Sequence, residues 1–398
     1  MTQKQINIGL FGFGTVGKGL YDVLKKIQPE NVHIVKVCVR NLAKHLGEVP
    51  DVEFTDNADD IFSDSRVNFV VELIDDADAA YAIVKQALGQ HLPVVSGNKK
   101  MLARHLPEMI ELQRKNHTAM LYDASACGSI PVIRNLEEYY DNDLLISVKG
   151  ILNGSSNFIL SKIFNEGMNY QEALALAQRL GFAESDPTLD IGGWDSLYKL
   201  IIITMHAFGV YVEPEKVFTF GIGNMNEHDI NFANEKRRRV KLVGWSEKVG
   251  DNGLILSVMP HLLSKQKYIY SVEDEFNGVV IKGLFYYKQF MFGQGAGGFP
   301  TGSAVLSDIT AQLYDYGYEY KKLQSSSKPE FSNDYKIRIY YRYDSPATLN
   351  LLKFSTIHES YYSDTYKYVV GDVTLSQLHA VAEKLRESDV FISVYPED

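Results

Sequence analysis

Short runs of branched and aromatic apolar residues alternate with amphipathic stretches through the first third of the chain. Ile6–Phe11 reads as a buried strand, Thr15–Lys26 as a helix and Val32–Arg40 as a second strand. Phe69–Leu73, Pro93–Ser96 and Ala119–Tyr122 follow as short strands, with helical stretches at Ala79–Gly89 and Met101–Asn116. Strands without polar alternation, separated by helices, predict a parallel sheet covered on both faces. The rhythm changes near Ser129, which is placed to cap a helix with Pro131 in its first turn. Leu144–Ile151 then reads as a strand. Asn169 with Glu172 forms a capping box, and Gly181 ends that helix. Asp195–Phe208 is apolar enough to predict a buried helix, and Leu254–Val258 and Val279–Leu284 read as strands.

The polar stretch 324–333 (QSSSKPEFSN) is expected to be a linker. Beyond it, Lys336–Tyr343, Tyr366–Val373 and Val390–Tyr395 read as strands, with a helix at Leu375–Glu387. The expected class is α/β. A doubly wound parallel sheet occupies residues 1–128, and residues 305–323 return to it. An α+β domain follows at 129–304, then a small, separate α+β module at 334–398.

The segment Gly12-Phe13-Gly14-Thr15-Val16-Gly17 sits between the first strand and the first helix. The first glycine permits a tight turn, the second lets backbone approach a pyrophosphate, and the third allows close helix–strand packing. This is the fingerprint of a Rossmann-type dinucleotide site. At the end of the second strand, where an acid would bind a ribose hydroxyl, the chain has Arg40, with Lys44 nearby. That pair suits a 2′-phosphate, so NADP is expected, with NAD open.

Composition narrows the function. The formal charge of −10 offers no general basic surface, which argues against nucleic acid. The one dense basic run, Lys236-Arg237-Arg238-Arg239, falls in the helical-looking stretch 229–243 and reads as a solvated helix face. The two cysteines make no disulfide framework, and no segment reads as a signal peptide or membrane span, so a cytoplasmic protein is expected. Asn153-Gly154-Ser155 matches a glycosylation acceptor, which is empty without secretion.

The densest chemistry lies in residues 181–199, GFAESDPTLDIGGWDSLYK. Glu184, Asp190 and Asp195 can hold an ammonium group, and Lys199 can move a proton at a reacting oxygen. Asp195 and Lys199 are four apart on one helix and so share a face. Apolar neighbours on that helix suggest a dry setting, which suits proton transfer near neutral pH.

The chain resembles homoserine dehydrogenases over roughly residues 5–320. The resemblance rests on an ordered series: GFGTVG at 12–17, SGNKK at 96–100, DASACGSIP at 123–131, GILNGSSNFIL at 150–160, the segment at 181–199, and GAGGFPTGSAVLSD at 295–308. It implies reversible NAD(P)H-dependent reduction of L-aspartate 4-semialdehyde to L-homoserine in threonine, methionine and isoleucine synthesis. By resemblance, Lys199 is the proton donor and acceptor, with Lys99 as a second signature lysine. Glu184 and Asp195 bind substrate with Asp190 in support, and Ser96, Lys99, Gly181 and Gly297 join the glycine turn at the cofactor. The same resemblance implies a monovalent cation, sodium, on backbone carbonyls of Asp123, Ala126, Gly128 and Ile130. A homodimer or larger assembly is implied, with no kinase segment ahead of the nucleotide fold. The chain departs from the family at Asp75-Asp76, where a glycine pair is usual, which places negative charge near the cofactor.

Two other readings stay open at this point. Cys127 could be the nucleophile of a semialdehyde dehydrogenase that passes through a thioester. The chain could also be a dinucleotide-binding sensor without catalysis. The C-terminal module resembles a short ACT-like domain through KIRIYYRYDSPATLNLL, which suggests threonine as an effector.

Overall fold

The computed structural model describes residues 4–396 apart from positions 46, 48 and 143, so the outermost residues of the expected domains, 1–3 and 397–398, lie outside it. The chain forms two compact units. One comprises residues 1–141 with 294–321, and the other residues 142–293 with 322–398.

In the first unit six parallel strands are β1 (Ile6–Phe11), β2 (Val32–Cys38), β3 (Glu53–Thr55), β4 (Phe69–Glu72), β5 (Val94–Ser96) and β6 (Met120–Leu121). Their order, β3-β2-β1-β4-β5-β6, is that of a dinucleotide-binding sheet, whose crevice opens where the winding reverses beside β1. All of β4 is buried and only Asn7 of β1 reaches intermediate exposure, which is why these strands read as continuous apolar runs. Two helices begin earlier than their apolar periodicity suggested, because side chains cap them. Asp76 caps Ala77–Gly89 and Asn98 caps Lys99–Asn116. The helix Gly298–Ala311 lies against Thr15–Ile27 at near backbone contact, where a Cβ on Gly19 would stand 2.0 Å from the Gly298 carbonyl oxygen.

The second unit is built on an 11-stranded sheet. Its main path runs Lys288–Gln294, Phe276–Gly283, Leu145–Ile151, Arg239–Val249, Gly253–Leu263, Phe391–Val394, Lys336–Arg342, Lys367–Thr374, Thr356–Tyr362. Helices Gly154–Glu166, Tyr170–Arg179 and Trp194–Phe208 belong to this unit. Every residue from Asp195 to Phe208 is buried, as its apolar content required. The capping box at Asn169 and Glu172 is present, and Gly181 follows the helix with φ +79°.

Two expectations are corrected here. The helix expected across 229–243 ends at Glu235, Arg237 turns at φ 54°, and an eleven-residue strand starts at Arg239. Its basic run is therefore no solvated helix face. Lys236 pairs with Glu359 at 2.7 Å, and buried Arg238 donates to the Leu262 carbonyl at 3.1 Å. Ser129 does not cap the helix Val132–Glu138 but donates to the Gln294 carbonyl. The Asp123 carboxylate does that work, accepting from the amides of Ile133 and Arg134 at 2.8 and 3.2 Å. The smaller C-terminal β/α module is present, and its strands continue the sheet of this unit. Phe391–Val394 joins Gly253–Leu263 through the pair His261–Val394, and the expected linker contributes Glu330–Phe331 to the same strand.

Candidate active site

The nucleotide-binding residues lie in the first unit. Gly12 turns at φ +94°, where a Cβ would stand 2.6 Å from the Leu73 carbonyl oxygen. A Cβ on Gly17 would stand 2.3 Å from the Gly12 carbonyl oxygen, so the helix start is pressed onto the turn. Gly14 differs: it is exposed, and a Cβ there would meet no atom within 4 Å. Gly14 is also the N-cap of the helix Thr15–Ile27 and supplies no side-chain hydrogen bond. An uncapped helix N-terminus facing open space is a ready cradle for a phosphate group, so the residues present fit a dinucleotide. Phe13 is buried against Phe54, His45 and Tyr21, and only its backbone can meet a cofactor. Thr15 is exposed and Val16 half-buried at the same turn.

Strand β2 ends at Cys38, so Arg40 lies just past it, and both Arg40 and Lys44 are exposed. The Asp75-Asp76 pair now has a structural account for one member. Asp76 accepts from the amides of Asp78 and Ala79, which hold its carboxyl below the usual carboxylate range, with Arg40 and Lys100 adding smaller attractions. Ser96 is fully buried and donates to Glu72 at 2.6 Å. Glu72, itself 0% exposed, also accepts from the Ile74 amide, and burial pushes its carboxyl up to about 7. Lys99 opens the helix that Asn98 caps. Gly297, at φ +120°, is the N-cap of Gly298–Ala311.

The loop 123–130 of the same unit turns on two successive left-handed residues, Cys127 at φ 65° and Gly128 at φ 56°. The carbonyls of Asp123 and Ile130 accept from the amides of Ala126 and Val132 at 3.1 and 2.8 Å. Cys127 is 0% exposed, so its thiol has no open path to a substrate carbonyl, which removes the thioester reading.

A second cluster, of carboxylates and a lysine, lies in the second unit. Lys199 is 7% exposed, and its Nζ donates to the Leu152 carbonyl at 2.7 Å and to Asp195 Oδ2 at 2.8 Å. Asn153 Nδ2 bridges the two aspartates, donating to Asp190 Oδ1 at 2.7 Å and to Asp195 Oδ2 at 2.9 Å. The Leu152 carbonyl accepts a second bond from Asn277 Nδ2 at 3.1 Å. Burial raises the Asp190 carboxyl, and the like charge on Asp195 raises it further. Asp190, Asp195 and Lys199 are thus brought together. Glu184 is not in this network; it lies on an exposed loop, its backbone carbonyl accepting from Gln178. Gly181 is exposed at the head of that loop. The reading from sequence missed Asn153 and Asn277. Asn153 had been passed over as an empty glycosylation match, although it lies inside the quoted GILNGSSNFIL motif.

Comparison with known proteins agrees with these features. The homoserine dehydrogenase family pattern matches residues 131–310, and that of the homoserine dehydrogenase NAD binding domain matches residues 12–123. A homoserine dehydrogenase of Lactococcus lactis is 35% identical over 76% of this chain and 73% of its own length. The crystal structure of a homoserine dehydrogenase from Thiobacillus denitrificans superposes with a TM-score of 0.85 at 29% identity, covering 99% of each chain. A hyperthermophilic archaeal homoserine dehydrogenase, solved in complex with NADPH, gives 0.68 at 26% identity over 79% of this chain and 100% of its own. An uncapped glycine turn on a dinucleotide-binding sheet, a buried Asp–Lys pair and these relatives lead to one conclusion: the chain belongs to the homoserine dehydrogenase family and is an NAD(P)-dependent oxidoreductase acting on L-homoserine and L-aspartate 4-semialdehyde.

Proposed function

We propose that Lys199 is the proton-transfer group of this reaction, held by Asp195 and the Leu152 carbonyl, and that Asp190 with Glu184 receives the substrate ammonium. The observation that carries the reading is the make-up of this hydrogen-bonded cluster, in which Asp195 and Lys199 are buried and Asp190 is half-buried. Two carboxylates, Asp190 and Asp195, stand against one lysine. The substrate's ammonium group can pair with the carboxylate that Lys199 leaves unmatched, and a desolvated setting strengthens that pairing.

A lysine ammonium has three N–H donors. Two are fixed on Leu152 and Asp195, so the direction of the third is fixed too. In reduction Lys199 gives that third proton to the alkoxide oxygen as it forms. The neutral amine keeps an N–H for each acceptor, and its lone pair points where the proton left. Homoserine oxidation runs the same transfer backwards, with the amine as base. The glycine turn would hold the pyrophosphate of a dinucleotide whose reduced nicotinamide would supply the hydride.

NADP is the preferred cofactor in this reading, because Arg40 and Lys44 are both exposed beyond β2, where a 2′-phosphate needs cations. A monovalent cation, sodium, fits the carbonyls of Asp123, Ala126, Gly128 and Ile130. The donors are uncharged oxygens, and the Asp123 carboxylate is committed to the helix that follows. The exposed apolar residues Leu284, Tyr287 and Phe292 support a homodimer or larger assembly. Threonine control through the C-terminal module and a cytoplasmic setting complete the proposal.

The test is homoserine oxidation by the purified chain with NAD and NADP in turn. Lys199→Ala should lower kcat by about 10²–10⁴-fold, the usual share of a general acid–base. Cofactor affinity should not change. Turnover within a few-fold of wild type in that variant would remove Lys199 from the role.

A further inference from the structure

We infer that Asn277 is a positioning residue for proton transfer: from the neighbouring strand it aims the Leu152 carbonyl at the Lys199 amine. This rests on the reading of Lys199 given above and extends it to a residue outside the motifs that carry the family resemblance. Asn277 belongs to the strand Phe276–Gly283, which pairs antiparallel with Leu145–Ile151 as far as Gly278–Ile151. It therefore stands beside the point where the chain leaves that strand as Leu152-Asn153. Its side chain is 0% exposed, and Nδ2 reaches the Leu152 carbonyl at 3.1 Å.

The peptide unit at Leu152-Asn153 addresses the lysine twice. Its carbonyl accepts directly from Lys199, and the Asn153 side chain holds Asp195, the other acceptor of the lysine. A rotation of this one peptide would move both partners of the amine. Asn277 takes one lone pair of the Leu152 oxygen and so leaves the other facing Lys199.

The far end of the same carboxamide marks this as more than packing. Asn277 Oδ1 is buried without a hydrogen-bond partner among the described residues. Turning the amide over would set that oxygen against the Leu152 oxygen, acceptor against acceptor, so the orphan cannot be relieved by a flip. A leucine would fill the same branched shape without stranding a polar atom, so a purely structural position would not favour an amide.

The experiment compares the full-length wild type with Asn277→Leu and Asn277→Asp, two variants of nearly the same shape. Asn277→Leu should keep or raise the melting temperature and keep cofactor affinity and the homoserine KM within about twofold. Its kcat should fall by roughly 10- to 100-fold, as expected when a reacting group loses its aim. The proton-transfer limb of the oxidation pH–rate profile should move to lower pH in Asn277→Leu, where the ammonium loses an aimed acceptor. It should move to higher pH in Asn277→Asp, where a negative charge is added. If Asn277→Leu fails to fold, the Asp variant alone carries the test. A kcat within twofold of wild type, or an unmoved limb in the folded variants, would overturn the proposal. Loss of turnover in Lys199→Ala is scored separately, so failure of the Asn277 inference leaves that assignment standing.

Discussion

Burial first and the neighbouring Asp195 second raise the Asp190 carboxyl, and one asparagine amide offsets part of that rise. A group held in this way destabilises the empty protein and serves the substrate. Asp190→Asn should therefore raise the homoserine KM by about 10- to 100-fold, the range for losing a charged hydrogen bond. The melting temperature should stay level or rise, since a buried like-charge contact is removed. An unchanged KM would take Asp190 out of substrate binding. At this scale the sequence was readable where charge and spacing speak together. Asp195 and Lys199 share a face because they are one helical turn apart, and apolar neighbours announce that the face is dry. Asn153 and Asn277 carry no charge and no periodicity. Their meaning arises only when strands bring residues 125 positions apart to one carbonyl oxygen, as Asn277 and Leu152 are.

Within the glycine turn, the structure separates two roles that the motif states together. Gly12 has a left-handed φ and a backbone oxygen where its Cβ would go, whereas Gly14 has open space. Gly12→Ala should lower the melting temperature markedly, since clash and conformational strain combine. Gly14→Ala should leave it within a degree or two and weaken cofactor binding instead, because the methyl stands where a phosphate must approach. Equal thermal losses in both would contradict this division. Glu72 ties this region together through Ser96 and Ile74. In the fold its carboxyl lies at about 7, against 4.5 when free. Below pH 4.5 both states are protonated. As pH rises to about 7 the unfolded chain releases a proton that the fold retains, so wild-type stability falls through that window and then levels. Glu72→Gln should lack the fall and gain roughly 3 kcal/mol relative to wild type between pH 4.5 and pH 8, read by chemical denaturation. Parallel stability curves would refute it. Elements were legible where burial made a continuous apolar run, as in β1 and β4. The strand starting at Arg239 was not, because it opens on a run of four basic residues, of which Lys236, Arg238 and Arg239 find acidic or carbonyl partners only through tertiary contact.

On the scale of the whole molecule, the C-terminal residues are expected from sequence to be a small separate module, and their strands continue the sheet of the second unit. Phe391–Val394 runs between Gly253–Leu263 and Lys336–Arg342, so a late strand is an interior member of the sheet in the second unit. Arg342 grips Asp229 through Nε at 3.0 and 3.1 Å and also reaches Asp389 and the Asn224 carbonyl. Asp229 is 1% exposed, and Tyr340 donates to it at 2.9 Å. Phe232 stacks on Tyr340 with ring centres 4.2 Å apart. Deleting residues 329–398 would leave Asp229 without its cation, Phe232 without its cover, and Gly253–Leu263 paired on that side only with Phe218–Thr219. The truncated chain should therefore aggregate or lose cooperative melting, rather than persist as an enzyme merely lacking control. Arg342→Ala in the full-length chain isolates the charge contribution and should cost about 3–5 kcal/mol, the range for orphaning one partner of a buried pair. Soluble yield and thermal melting decide between the two pictures. A truncated protein that melts as the full chain does would mean that the sheet closes without these strands and that the module is dispensable to the fold.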